Sequence, residues 1–530
     1  MQRPSNVHSL YDSASRLWGR VPSLQKRTFW FAVGSMMLVH FYMFTNKLLN
    51  HDELYSLISR NEMTSSGRWA LRFFSALSSS VSMPWVLGAL CTLFFALTCC
   101  LLVSLFRLRR TLSVAMLCLS MATFPSCAAT LTYLFQADAL FISLFLSVSA
   151  VWLTRRIRWG GIPSALCICV SVGIYQAYYP FAASLFVLTL LLDAFDAKAS
   201  FSAILRRGLR YVAVLTAGLL FYFVALRICL SVTHTALSDY QGISQMGKAS
   251  DGQFVDAVLQ AYRQYFRYFF ENCRQFHYQI SIPIAWLGAL SGGAAIVLIV
   301  LHRRLYRSPL LLMLVCALIG LIPLAGNLIY VMAPNGVVHS LMMYPLVLSP
   351  ILLAVLSERL SSFECGRLGR LLCISLGIVM LGVCSFWIYN DYLLVNQGYM
   401  RQQLATEQAI SYANRLTARI ETADGYTYET PLALVGTPDE GVLYDPLDRY
   451  AGLRHLTGMS SGDALVRAYS FDHLLADYIG LPNPQLSGVA KDDFLAHHDA
   501  AVSAMPLYPA AGSISIVDGV LVVRFSAPSI

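Results

Sequence analysis

Eleven apolar runs recur along this chain between short clusters of arginine and lysine, at residues 28–44, 83–106, 111–131, 139–154, 161–178, 181–195, 211–231, 282–302, 309–332, 341–356 and 371–389. A hydrocarbon core of about 30 Å takes about 20 residues of helix. Backbone that crosses lipid must satisfy its own N–H and C=O groups, so runs of this kind fold as helices. The expected fold is a polytopic α-helical membrane protein with about 11 transmembrane helices. Several runs are short or contain proline, as at Pro125 and Pro323, and Pro180 separates two of them. Composition excludes the alternative class: 57% of the 530 residues are hydrophobic and only 13% charged, against about 25% charged in a soluble domain.

The formal charge of +9 does not indicate a nucleic-acid groove, because the charges are segregated along the chain. Beyond residue 390 there are 8 basic and 16 acidic residues, and before it 30 basic and 13 acidic. Cytoplasmic loops carry an excess of Lys and Arg. With the N-terminus inside, residues 1–27, 107–110, 155–158, 196–210, 303–307 and 358–370 would be cytoplasmic and hold 21 basic residues. The short opposite loops near Gln136, Tyr179 and Asn335 hold none. Eleven spans then put the C-terminus outside. Residues 1–27 are polar and no A-x-A pattern follows the first run, so the first helix is expected to be retained. A bacterial inner membrane is the natural setting, multi-pass, with the N-terminus cytoplasmic and the C-terminal region periplasmic.

Three outer segments are substantial: 45–82, 232–281 and the residues after 390. The expected division is a transmembrane domain over 1–390, with its functional first external loop at 45–82, and a small extracytoplasmic α/β domain over 391–530. In that last region 397–422 has helical spacing, 432–435 reads as a strand, and 513–525 alternates as a hairpin around Asp518-Gly519. No cysteine follows residue 390, and no metal spacing appears among the 13 cysteines. Val255, Leu259, Tyr262 and Phe266 share a helical face suited to the membrane interface or to packing on the C-terminal domain.

The first external loop holds the residues with most chemical content. It reads Asn50-His51-Asp52-Glu53-Leu54-Tyr55-Ser56, then Ser65-Ser66-Gly67-Arg68-Trp69. Two adjacent carboxylates at the water–lipid boundary, followed by Arg60, Arg68 and Arg72, combine a general base with cations able to hold a phosphate. The plainer alternative is a solvated loop with incidental charges. Gln136-Ala137-Asp138 supplies the one carboxylate of its short outer loop, as a functional group or a helix cap. Tyr175-Gln176 opens a tyrosine-rich turn that also suits an interfacial aromatic belt. His339 is a further candidate for hydrogen bonding or phosphate contact.

Taken together, Asp52-Glu53 soon after the first helix, Ser66-Gly67-Arg68-Trp69, Gln136-Ala137-Asp138 and Tyr175-Gln176 resemble the Gtr serotype-converting glucosyltransferases that modify bacterial O-antigen. The resemblance covers about the first 400 residues in layout. It implies an integral-membrane GT-C type glycosyltransferase that takes glucose from a polyprenyl-phosphate carrier and places it on O-antigen or another lipid-linked glycan on the outer side of the inner membrane. It further implies inverting displacement with Asp52 as base, Glu53 or Asp138 orienting sugar hydroxyls, and Arg68 with Arg60 or Arg72 holding the donor phosphate. Trp69, Gln136, Tyr175, Gln176 and His339 are expected to contact substrate. No cofactor is expected, and cationic side chains take the place of a metal. A flippase and a donor-synthesising enzyme are implied as functional partners. No nucleotide-binding motif is present.

Other functions fit parts of the pattern. A transporter shares the many helices, but the span count is odd, no internal repeat is visible, and few ionisable residues lie at mid-membrane. An O-antigen polymerase or ligase and a lipid A aminosugar transferase are the nearer enzyme alternatives. A structural anchor for the outer domain would leave Asp52, Arg68 and Asp138 freely replaceable. The C-terminal domain is expected either to bind acceptor or to stabilise the outer face of the bundle.

Overall fold

The structure is a computed structural model that describes residues 15–16, 18–55, 63–79, 81–196, 199–238, 251–271, 281–334, 336–364, 366–436, 438 and 468–526. The chain is a polytopic helical membrane protein. Among the described residues nine helices are long and apolar enough to cross a bilayer, and ten if one bent pair is a single span. The helices used below are α1 (Ser23–Thr45), α2 (His51–Tyr55), α3 (Leu71–Ser75), α4 (Pro84–Phe106), α5 (Thr111–Thr123), α6 (Pro125–Thr132), α7 (Leu134–Arg156), α8 (Gly161–Ile174), α9 (Tyr179–Ala194), α10 (Phe201–Thr233), α11 (Asp251–Phe266), α12 (Ser281–His302), α13 (Pro309–Gly326), α14 (Leu348–Leu360), α15 (Arg367–Glu421), α16 (Ala468–His473) and α17 (Gly488–Ala504).

Each apolar run of the sequence contains a helix, and prolines set where several of them break or begin. Pro125 forces Phe124 out of the helical region, so α5 and α6 meet at 44°. Pro84, Pro180 and Pro309 sit in the first turns of α4, α9 and α13, where their missing N–H costs nothing. The run at 161–178 is helical only over the 14 residues of α8. It ends because Tyr175 is extended and a tight turn, Gln176–Tyr178, precedes α9. Among the described residues each of the eleven apolar runs thus holds a helix, and α8 is shorter than a bilayer core requires.

Burial separates centre from rim. The apolar stretches of α7 and of the turn-plus-α9 segment Gln176–Ala194 are 83% and 94% buried, whereas that of α10 is 22% buried. α10 presents Leu209, Val212, Leu220, Val224 and Ile228 outward, an apolar surface that only lipid would cover. Small residues let the central helices approach closely. Ser143 and Ser147 of α7 share hydroxyl contacts of 2.9 and 2.8 Å with Ser171 of α8. His40 of α1 bridges the Tyr399 hydroxyl and the Ala122 carbonyl, both at 2.8 Å. α11 lies against α13, where Tyr262 donates to the Gly320 carbonyl at 2.8 Å. Its Val255, Leu259 and Phe266 remain exposed.

One helix of 55 residues, α15, runs from the bilayer into the C-terminal region without a break at residue 390. Its far half covers a three-stranded sheet ordered β1 (Leu432–Val435), β3 (Val520–Arg524), β2 (Ile514–Val517). β1 is parallel to β3 and β2 antiparallel to it. The β2–β3 hairpin turns through Asp518 and Gly519, both at positive φ, the requirement of a two-residue hairpin turn. Leu521 and Val523 point to Ala405, Ala409, Leu416 and Ile420 of α15, and Val522 points to Val502 of α17 on the other face.

That outer core also contains Leu49 and Leu54, which lie immediately outside α1. The Gln402 amide donates to the Leu49 carbonyl at 2.8 Å, and the Leu49 N–H donates to the Thr406 hydroxyl at 3.2 Å. α2 packs on α16. The 45–82 loop and the C-terminal region therefore lie at the same end of the helix bundle.

Candidate active site

The residue pair Asp52-Glu53 sits in the first turn of α2, and helical geometry separates the two side chains. Adjacent helical residues differ by about 100° in direction. Glu53 turns inward and is fully buried. It accepts hydrogen bonds from the Lys47 ammonium and the Ser82 hydroxyl, and Lys47 also reaches the Ser82 Oγ at 2.7 Å. Asp52 turns outward with its side chain 37% exposed. The Asp52 N–H donates to Asn50 Oδ1 at 2.9 Å, which caps the short helix. His51 Nε2 lies 3.7 Å from Asp52 Oδ1, and the His51 ring meets the Tyr133 ring edge-on at 6.3 Å.

Tyr133 leads into α7, whose N-terminal end carries Gln136 and Asp138, both buried. Asp138 Oδ1 accepts the Ala139 N–H at 2.8 Å, and Ser78 lies within hydrogen-bonding reach of the carboxylate. Asp138 Oδ2 and Gln136 Oε1 are buried without a hydrogen-bond partner among the described residues. Of the three carboxylates singled out from the sequence, Asp52 alone is open to solvent. Ser78 lies at Asp138 and Ser82 at Glu53.

A second group forms around Arg68. Its guanidinium lies 4.9 Å from the centre of the Tyr175 ring, a cation–π contact. Nη1 contacts Met63 Sδ at 3.4 Å, and Nε is buried with no hydrogen-bond partner. No carboxylate pairs with Arg68 among the described residues. The Gln176 amide donates to the Ser66 carbonyl at 3.2 Å, and the Tyr222 hydroxyl of α10 donates to the Gly67 carbonyl at 3.1 Å. These bonds hold the Ser66-Gly67-Arg68 backbone. Arg68, Tyr175 and Gln176 line a pocket whose remaining wall is apolar, with Ile329, Met332, Val337 and Met342 among its residues.

Trp69 anchors the same segment from beneath. Its indole lies on Gly173 of α8, where an added Cβ would come within 2.6 Å of Trp69 Cε2, and the Ala70 N–H donates to the Gly173 carbonyl at 2.9 Å. Gly173→Ala is expected to cost about 1–3 kcal/mol through overpacking and to tilt Arg68 away from Tyr175. A lower melting temperature of the purified protein together with weakened donor binding checks this.

The remaining candidates are more scattered. Arg72 is half-buried over the Phe73 ring at 5.1 Å, close enough to Cys229 of α10 to act on its thiol. His339 is half-buried, its Nδ1 without a hydrogen-bond partner, beside Ser340, whose carbonyl takes a hydrogen bond from Ser126. Arg60 lies outside the described residues. Among the described residues no group of three His, Cys, Asp or Glu side chains is placed to hold a metal ion.

Sequence reasoning missed three participants. Lys47 could have been noticed as the only lysine of the 45–82 loop. Tyr222 sits inside an apolar run and had no distinguishing signal. Tyr478 comes from the C-terminal region, where burial and then the nearby charge of Glu53 raise its phenol above the usual range.

The family model for the glucosyl transferase GtrII matches residues 41–349. The match spans every candidate above except Tyr478 and stops before α15 and the sheet. No curated protein and no solved structure matches the chain. With more than half its length covered, this membrane protein belongs to the GtrII glucosyl transferase family and is a glycosyltransferase.

Proposed function

We propose that the enzyme moves a glucosyl residue from polyprenyl-phosphate-glucose to an O-antigen sugar on the periplasmic side of the inner membrane, by a single inverting displacement in a GT-C type fold. Asp52 removes the proton of the acceptor hydroxyl. The acceptor oxygen bonds to the anomeric carbon as the bond from that carbon to the phosphate oxygen breaks, and the carrier departs as polyprenyl phosphate. Arg68, with Arg72, stabilises the charge gathering on that phosphate. Asp138 and Gln136, each with a buried oxygen lacking a partner, orient sugar hydroxyls. Glu53 holds α2 in place through Lys47 and Ser82. The observation that carries this reading is the contrast among the three carboxylates, since a base must reach an acceptor hydroxyl presented from the aqueous side and Asp52 alone faces solvent.

Several features support the rest. An arginine without an acidic partner, at the mouth of an apolar pocket, suits a phosphate joined to an isoprenoid tail. Counting α8 and the bent α5–α6 pair gives eleven spans, and the arginine clusters fall at the bundle end opposite Asp52, in keeping with that end being cytoplasmic. The residues beyond 390 act as the periplasmic α/β domain, and a flippase and a donor-synthesising enzyme supply the substrates. Phosphate is stabilised by arginine and not by a metal.

The test is the mass of the lipopolysaccharide repeat unit in a host that makes polyprenyl-phosphate-glucose, with and without the protein. A hexose-sized gain that persists in membranes treated with EDTA is expected. Absence of the gain across several acceptor strains would overturn the reading, and a gain abolished by EDTA and restored by a divalent cation would overturn its metal-free form.

A further inference from the structure

At the opposite end of the bundle the structure has a cleft that the transfer reaction does not use. α4 begins two residues after Ser82, at the outer site, and ends at Phe106. Its 23 residues span about 35 Å, so the turn that follows lies a full membrane thickness from Arg68. That turn, residues 107–110, forms one wall of the cleft, and the ends of α9, α12 and α14 form the others.

Five arginines line the cleft, Arg107, Arg109, Arg110, Arg303 and Arg359, against two carboxylates, Asp196 and Glu358. Both carboxylates are already engaged. Asp196 pairs with Arg107 at 3.0 Å and Arg359 at 3.7 Å. Glu358 Oε1 accepts the backbone N–H groups of Arg109 at 2.7 Å and Arg110 at 3.3 Å, which fixes the turn. Asp193 behind them is shared by Arg107, Arg155 and Arg207. The guanidinium groups of Arg109, Arg110 and Arg303 are left without an ion pair among the described residues. Arg303 rests over the Phe363 ring at 5.4 Å. The floor between the helices is apolar, formed by Phe106, Ile299 and Val355.

We propose that this cleft is a binding site for a phosphate-bearing headgroup, occupied by an anionic phospholipid of the adjoining leaflet. Three uncompensated guanidiniums supply fork-shaped donors for phosphate oxygens, and the apolar floor between helices receives the glycerol and upper acyl chain. Basic pockets between helices at the cytoplasmic surface bind anionic headgroups in this way. The site is independent of the transfer reaction, since none of its residues touches the outer pocket.

Native mass spectrometry of the full-length protein, exchanged from detergent into mixtures of phosphatidylglycerol and phosphatidylcholine, tests it. Wild-type protein is expected to retain phosphatidylglycerol about 10- to 100-fold over phosphatidylcholine, since each cation contributes about a tenfold preference or less. Arg109→Ala/Arg110→Ala/Arg303→Ala is expected to lose the preference, and the corresponding triple lysine variant to keep part of it. Size-exclusion profiles matching wild type show that the variants are folded. Glycerol phosphate, the headgroup without tails, separates the two sources. If it fails to displace the lipid at millimolar concentration, the lipid is the occupant. If it binds as tightly by itself and depends on the same arginines, the phosphate site stands and its ligand is soluble. Equal retention of both lipids by wild type, or an alanine variant with unchanged preference, overturns the proposal.

Discussion

Asp52→Asn is expected to lower glucosyl transfer about 10²- to 10⁴-fold, the usual contribution of a positioned general base, without changing how much protein reaches the membrane. The substitution is isosteric, so it removes the capacity to take a proton and leaves the shape of α2 alone. The exposed carboxylate contributes little to stability, and the melting temperature should stay within a degree or two of wild type. Donor affinity should also be unchanged, because the segment bearing Arg68 is held by Gln176, Tyr222 and Trp69 and not by α2. The measurement is transfer to purified acceptor at matched protein levels, with donor binding followed separately. A variant that transfers at the wild-type rate would show that the proton goes elsewhere, and Asp138 would then be the group to replace next. A variant that loses donor binding as well would show that Asp52 acts on the donor.

The sequence carried the helices and lost the contacts between them. Hydropathy alone located every apolar run in which a helix is found, and Pro125 and Pro180 marked real breaks, since ring geometry acts locally. Leu432–Val435 and the turn at Asp518-Gly519 were legible for the same reason, because alternation and turn chemistry are short-range signals. The continuity of α15 was not. Apolar content falls after Tyr389 and the chain reads as one helix ending and another beginning at 397, yet helix propagation needs only unbroken backbone bonding and no proline, and α15 runs on through Asn390, Asp391, Asn396 and Gly398. Adjacent carboxylates at 52 and 53 look equivalent in a string of letters. Their separation into an outward and an inward group depends on which face of a five-residue helix meets Ser82, Lys47 and Tyr478, and those partners lie up to 425 residues away. Long-range placement of this kind also hid the pairing of Leu49 and Leu54 with the sheet, so the C-terminal region gave no sign that it seats the loop bearing Asp52. Arg68 was legible as a cation, but not as one lying against Tyr175.

Breaking the pair between Lys47 and Glu53 is expected to destabilise the protein by about 3–5 kcal/mol, the cost of leaving one member of a buried ion pair uncompensated. Glu53 is fully buried while Lys47 is 24% exposed, so Lys47→Met, which strands a fully buried carboxylate, should fall toward the upper end of that range, and Glu53→Leu, which leaves a lysine that water partly reaches, toward the lower end. The two changes together should cost less than either alone, because an apolar pair of similar volume replaces the charges and no unpaired ion remains. Thermal unfolding of the four proteins in one detergent gives the coupling directly. Activity should follow stability and not chemistry: each single variant is expected to keep the wild-type pH dependence of transfer at temperatures where it is folded, with the lost activity largely returned in the double variant. That pattern would separate Glu53, which positions α2 from behind, from Asp52, whose loss no second substitution in this pair restores. If the double variant is folded but as inactive as Asp52→Asn, then Glu53 itself meets the substrate, and the division of labour between the neighbouring carboxylates must be reversed.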